Sequence, residues 1–294
     1  MKLALLGDIA LIGELSYENN AKVEDRFKQL ADYLSSFDYV VANLESPFSI
    51  RRKRYGAKSA YLYSDVRNIE ILKQLHIKAV TLSNNHIFDY GNEGFDLTKK
   101  LLQEHEIAYF GVDGKNYLVE VAGNKLAFSG YCCFSTNPLN NVREGCDGVN
   151  AYNVEDVRNA LKRYSQYGYL NILAVHAGLE HVNYPSLDHI RLARSYSDIC
   201  PYVYYGHHPH VIQGVEEYNG SLIAHSLGNF CFDDIYEDND SNIPFVELTE
   251  QNRTGVILEL EIENSKLVSW KERVVYNDRT KGLMILDTPN GGGV

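Results

Sequence analysis

The chain has 294 residues and a formal net charge of -11, from 39 acidic and 28 basic residues. Its overall field therefore repels nucleic acid and anionic membrane surfaces, and any anionic ligand needs a local cationic site. Hydrophobic residues at 45% and charged residues at 23% are typical of a soluble globular protein. Cys132, Cys133, Cys146, Cys200 and Cys231 form an odd set without a C-x-x-C pair, which argues against a disulfide framework or a cysteine zinc site. The apolar opening MKLALL is broken by Gly7 and Asp8 before it reaches the length of a signal-peptide core. No other run approaches the ~18 apolar residues of a spanning helix, and the chain is read as cytoplasmic.

Strand and helix patterns alternate through the first two thirds. KLALLG reads as a short buried strand, AKVEDRFKQLADYLSS has helical spacing of Val23, Phe27, Leu30 and Leu34, and DYVVAN is a strand again. DVRNIEILKQL (helix) leads into KAVTLS (strand), and NEGFDLTKKLLQEH (helix) into IAYFG (strand). The alternation predicts a parallel sheet with crossover helices, an α/β fold. A hairpin follows in YLVEVAGNKLAFSGY, with its turn at Gly123 and Asn124. A helix over Val154 to Tyr164 precedes the strand YLNILAVH, and the helix SLDHIRLARSYSDI precedes PYVYYG. The last third is mostly strand: hairpins turn at Asn219 and Gly220 and near Asn264 and Ser265, and the tail 287–294 (TPNGGGV with Asp287) reads as disordered. With no repeat or Pro-rich linker, residues 1–286 are expected to form one domain.

The polar residues fall at strand ends. Asp8 follows KLALLG, Asn43 and Glu45 follow DYVVA, Asn84, Asn85 and His86 follow KAVTLS, and His176 follows NILAV. Three of the ten histidines, His207, His208 and His210, crowd into four positions after PYVYYG. Ligands of open α/β sheets bind outside the carboxyl ends of the strands, so five segments are expected to converge on one mouth. Singly, each residue has an ordinary structural use: Asp8 as a turn residue or helix cap, Glu45 as a partner for a basic residue of 51–54, His86 or His176 as a satisfied polar group. Together they offer carboxylates, an amide oxygen and imidazoles, the inventory of a one- or two-metal site for Mn, Fe or Zn.

GDIAL at 7–11, NLESP at 43–47, SNNHIFDYGNEGF at 83–95, HAGLE at 176–180 and GHHPHVIQGVE with SLGNF at 206–230 resemble the CapA family of capsule and poly-gamma-glutamate synthesis proteins. The resemblance spans roughly residues 3–232. It implies a four-layer α/β/β/α sandwich of the calcineurin-like metallophosphoesterase type, with the C-terminal β-hairpin strands added. It also implies metal ligation by Asp8, Glu45, Asn85, His176, His208 and His210, with His207 outside the motif and His86 facing the substrate. Two departures stand out. The usual Asp-x-His is Asp8, Ile9, Ala10 here, which removes a ligand, and the usual His-Trp-Gly is His176, Ala177, Gly178, which removes an aromatic wall.

The resulting expectation is metal-assisted hydrolysis of a phosphate ester, with one or two divalent transition metals per chain. His86, oriented by Asp89, would protonate the leaving oxygen. Arg51, Arg52 and Arg54, with Lys53, follow the NLESP motif and are candidates for holding a phosphate or a polyglutamate carboxylate, although a solvated basic loop is an equal reading. Glu180, His181 and Tyr184 are candidates for the opposite wall. The expected partners are an anionic small molecule or polymer and, through the resemblance, capsule-synthesis proteins. Two rivals share the residues: an accessory protein that grips polyglutamate, and cleavage of gamma-glutamyl amides.

Overall fold

The computed structural model describes residues 1–50, 53–56, 58–133, 136, 148–236 and 244–286. Arg51, Arg52, Cys146 and the tail expected to be disordered lie outside the described residues. Two sheets face each other. The first is built on parallel strands β1 (Lys2–Ile9), β2 (Tyr39–Leu44), β3 (Ala79–Thr81) and β4 (Ala108–Phe110). Antiparallel β12 (Thr254–Glu263), β13 (Lys266–Asp278) and β14 (Gly282–Ile285) extend it from β1, in the order β14-β13-β12-β1-β2-β3-β4, and short β11 (Asn229–Cys231) pairs with the end of β1. The second sheet runs β5-β6-β7-β8-β10-β9. Its parallel centre is β6 (Asn124–Cys132), β7 (Leu170–His176), β8 (Tyr202–His207) and β10 (Ser221–Ala224), edged by antiparallel β5 (Tyr117–Val121) and β9 (Val215–Tyr218).

The parallel strands read as continuous apolar runs because both of their faces are buried. In β1, Leu3 and Leu5 enter the layer between the sheets, whereas Ala4 and Leu6 face the helical layer of α1 (Lys28–Leu34), α2 (Ile69–Gln74) and α3 (Gly91–Glu104). In β7, Leu170, Ile172 and Ala174 point inward, and Leu173 and Val175 meet α4 (Val154–Gln166) and α5 (Leu187–Tyr196). The result is the four-layer sandwich. Phe128 fills its middle, with the rings of Tyr39, Phe110 and Tyr117 at 6.2, 5.7 and 6.2 Å; truncation to alanine would cost about 3–5 kcal/mol.

Local differences have local causes. The helix expected over 21–36 begins as 3-10 turns at Val23–Phe27 and is α-helical only from Lys28. The first hairpin turns at Ala122 and Gly123 (φ 47° and 74°), one residue earlier than expected. Asn124 is instead drawn into β6, where its Oδ1 accepts from Ser265 N at 2.9 Å while Ser265 Oγ accepts from Lys125 N at 2.8 Å. This stitches the two sheets together at the end remote from Asp8 and His176. Cys132, Cys133, Cys200 and Cys231 are free thiols. Among the described residues no helix is long and apolar enough to cross a membrane.

Candidate metal centre

The strand ends of both sheets converge through two glycines. Gly7 precedes Asp8 and Gly206 precedes His207. A Cβ at Gly7 would lie 2.0 Å from Gly228 O, and one at Gly206 would lie 1.8 Å from His225 O. No side chain fits at either position, and residues 225–228 thread between the sheets there. Asp8, Glu45 and Asn85 then arrive from the first sheet, and His176, His208 and His210 from the second.

Asp8 and Glu45 are fully buried, but their surroundings differ. Asp8 Oδ1 accepts from Asn43 Nδ2 at 2.8 Å, and Oδ2 accepts from the backbone N–H of His208 at 3.2 Å. His207 Nδ1 lies 3.0 Å from Asp8 Oδ1 without the alignment of a hydrogen bond. His210 Nδ1 lies 3.5 Å from Oδ2. Neither oxygen of Glu45 has a hydrogen-bond partner. Its Oε1 lies 3.8 Å from His176 Nε2 and 3.7 Å from His210 Nε2. Asn85 Oδ1 and His176 Nε2 are 2.7 Å apart.

His210 is braced from behind. Its Nδ1–H donates to Asn229 Oδ1 at 2.9 Å, an orientation fixed because Asn229 Nδ2 donates to Asn252 O at 2.9 Å. Nε2 is thereby left as the nitrogen with a free lone pair, the arrangement by which an outer partner sets the tautomer of a ligating histidine. Asn252 Nδ2 reaches both the carbonyl of His210 and His181 Nδ1, each at 3.0 Å.

Beside this group, His86 Nδ1 is 2.7 Å from Asp89 Oδ2, which also accepts from Leu62 N at 2.7 Å. Lys58 completes the cluster. Its ammonium pairs with Asp89 Oδ1, donates to the carbonyl of Asn85 at 2.6 Å and lies 3.3 Å from His86 Nδ1.

The electrostatics follow from burial and proximity. Burial raises the Asp8 pKa, but contacts with His207 and His210 and the Asn43 hydrogen bond outweigh it and hold Asp8 below the usual carboxylate range. Burial, then the Asp8 and Glu180 carboxylates, push Glu45 well above it. Burial, then the other imidazoles, drive His176 well below 6.5, and burial followed by His210 brings His208 down to about 3. Such imidazoles are neutral at physiological pH, the state in which they ligate metals.

These residues fit a divalent metal. Glu45 offers two buried oxygens without partners, and Nδ1 of both His176 and His208 is likewise unpartnered. Ligand atoms of Asp8, Glu45 and His210 lie within 4.8 Å of one another, as do those of Glu180, His208 and His210. Mixed carboxylate and imidazole donors suit Mn, Fe or Zn. Ala10, where a further histidine was missed, is buried against Leu62, Phe232 and Leu248. His225 and Asp233, the residues that could stand in for that histidine, are engaged elsewhere, by Glu216 and by the backbone of Glu14.

The structure brings Asp8, Glu45, Asn85, His86, Asp89, His176, His208 and His210 into one site. His207 is drawn in beside Asp8, although the motif leaves it out. Glu180 stands among the imidazoles, and His181 turns to Asn252. Tyr184 is 82% exposed, and Arg54 stacks its guanidinium over Tyr61 at 5.0 Å. Lys58, Asn229 and Asn252 were not picked out by sequence reasoning. Lys58 closes the basic segment and Asn229 lies within SLGNF, so each had a signal; Asn252 had none.

Comparisons with known proteins give the family and the fold. The family model described as bacterial capsule synthesis protein PGA_cap matches residues 2–234. The chain is 26% identical over 244 residues to the PGA biosynthesis protein CapA of Bacillus subtilis (strain 168), a match covering 79% of this chain and 63% of that protein. It is 28% identical over 247 residues to the capsule biosynthesis protein CapA of Bacillus anthracis, covering 79% and 60%. The chain thus spans about three-fifths of the length of these relatives. The solved structure of Haemophilus influenzae NAD nucleotidase (NadN) superposes with a TM-score of 0.52 at 13% identity, covering 98% of this chain and 54% of that one, a likeness of fold. The fold is therefore of the calcineurin-like metallophosphoesterase type, and the chain belongs to the bacterial capsule synthesis protein PGA_cap family.

Proposed function

We propose that this chain is a metal-dependent hydrolase of the phosphoesterase kind, acting on an anionic substrate of capsule or poly-gamma-glutamate metabolism. The observation that carries this reading is Glu45, a fully buried carboxylate with both oxygens unpartnered and imidazole nitrogens at 3.7 and 3.8 Å. A carboxylate left in that state is costly unless a cation faces it. Asp8, Glu45 and His210 would hold one ion, and Asn85, His176 and His208 would complete the set. When bound, a divalent metal supplies Lewis-acid polarisation of a phosphoryl or carbonyl oxygen and acidifies water.

The rest falls to the chain's own side chains. Asp89 holds Nδ1 of His86, leaving Nε2 to exchange a proton with the leaving oxygen. Lys58 anchors Asp89 and the Asn85 carbonyl, so the residue pair that binds metal and moves the proton is held as one unit. The segment that carries Lys58 also carries Lys53 and Arg54, and Tyr55 N donates to Asp89 O at 2.8 Å. A basic segment tethered to Asp89 supports an anionic substrate and equally supports a grip on polyglutamate.

His86→Ala separates the readings. Metal-loaded protein is assayed on an alkyl phosphate, on a nitrophenyl phosphate and on gamma-glutamyl peptides. Hydrolysis predicts that the variant keeps its metal and loses about 10²–10⁴-fold on the poor leaving group, and much less on the activated ester. If loaded wild type cleaves none of these yet binds polyglutamate in a salt-dependent way through Lys53 and Arg54, the enzyme reading fails.

A further inference from the structure

We propose that Glu180 is a metal ligand, contributed by the loop after β7 to a centre that lacks a histidine at position 10. The inference rests on the metal part of the preceding reading. At the place where a histidine two residues beyond Asp8 would complete the coordination, Ala10 is buried among Leu62, Phe232 and Leu248 and has nothing to offer. A carboxylate oxygen of Glu180, by contrast, lies within 4.8 Å of ligand nitrogens of both His208 and His210. His208 is only 6% exposed, and its Nδ1 has no partner. A buried lone pair of that kind is what a cation satisfies.

The loop is fixed so that Glu180 stays there. His181 N donates to Pro209 O at 2.8 Å, between His208 and His210 in sequence, and Gln213 Nε2 donates to Val182 O at 2.7 Å. Backbone φ is positive at His181 (63°), His208 (96°) and His210 (56°). Side chains rarely tolerate that region, and its clustering is expected where geometry serves a site. Two imidazoles and one carboxylate make a donor set for Mn, Fe or Zn rather than for calcium. Glu180 is also solvent-exposed, unlike the other acidic ligands, so an arriving anion can compete with it for the ion.

The test titrates the metal-free full chain with Mn²⁺, following free Mn²⁺ by electron paramagnetic resonance and heats by calorimetry. Wild type, Glu180→Gln and the neighbouring control Leu179→Ala are compared, with circular dichroism to confirm folding. Loss of an outer partner to a metal ligand costs about 10–100-fold in affinity, so loss of a direct ligand is expected to weaken at least one ion by that much or more in Glu180→Gln. Leu179→Ala is expected to match wild type. Equal affinities and stoichiometries in wild type and Glu180→Gln overturn the assignment. Weakened Mn²⁺ binding in a chain that hydrolyses nothing keeps Glu180 as a ligand and sinks the hydrolase reading. Unchanged binding in a chain that turns over phosphate esters does the reverse, and absence of Mn²⁺ binding in wild type sinks both.

Discussion

Replacing Glu45 with glutamine keeps the side-chain volume and removes an ionisable group that is fully buried and has no hydrogen-bond partner. In metal-free protein the folded-state pKa of Glu45 is raised well above 4.5, by burial and then by Asp8 and Glu180. The folded chain therefore holds this proton more tightly than the unfolded chain, so stability falls as pH rises above 4.5 and until the folded group ionises. The slope is at most about 1.4 kcal/mol per pH unit. Glutamine has no proton to lose, so Glu45→Gln escapes this decline. Between pH 5 and 7 the gap in its favour grows by up to about 2.7 kcal/mol, or roughly 4 °C in Tm for a chain of 294 residues. Manganese offsets the gap. At 100 times Kd it stabilises wild type by about 2.7 kcal/mol, and the variant, lacking the carboxylate, gains little. Thermal unfolding followed by fluorescence from pH 5 to 8, with chelator and with Mn²⁺, reads both effects. Parallel pH curves in chelator, or equal stabilisation of both proteins by Mn²⁺, would refute the picture of a buried carboxylate that requires a cation.

Asn252→Ala removes the donor shared by the His210 carbonyl and His181. It is expected to weaken Mn²⁺ binding about 10–100-fold with the fold intact, and unchanged affinity by calorimetry would show that the brace is dispensable. Lys58→Met acts on His86, whose pKa is lowered first by burial and also by the Lys58 cation. Removing that cation is expected to move the His86 titration to higher pH, seen by NMR of the imidazole and as the same shift in a limb of the pH-rate profile. No shift, or a downward one, would dissociate Lys58 from His86.

The strand ends were legible because each site residue follows an apolar run that can only be a buried parallel strand: Asp8 after KLALLG, Glu45 after DYVVANL, His176 after LNILAV. A residue's place at a strand terminus is a one-dimensional fact. What surrounds it is not. Lys58 sits in a segment without periodicity, and only the fold shows that, of the basic residues after NLESP, this one reaches Asp89. Asn252 lies 42 residues from the His210 carbonyl it holds, beyond the family match, and an asparagine in a turn before a strand has many ordinary uses. His207 was set aside by motif spacing, yet it ends β8 and the pleat carries its ring to Asp8. The shift of the first hairpin turn to Ala122 had a cause that no local pattern contains, the pairing of Asn124 with Ser265 across the sheets.

Because Asp8, Glu45 and Asn85 belong to one sheet and His176, His208 and His210 to the other, an ion held among them would be more than a reagent. It would rivet the sandwich across its layers, a non-covalent counterpart of a disulfide at the end opposite the Asn124–Ser265 stitch. Binding free energy would then be cohesion between the sheets. Stripping the metal should loosen β1, β7 and β8 together at their carboxyl ends, visible as faster amide exchange there, while the stitched ends keep their protection.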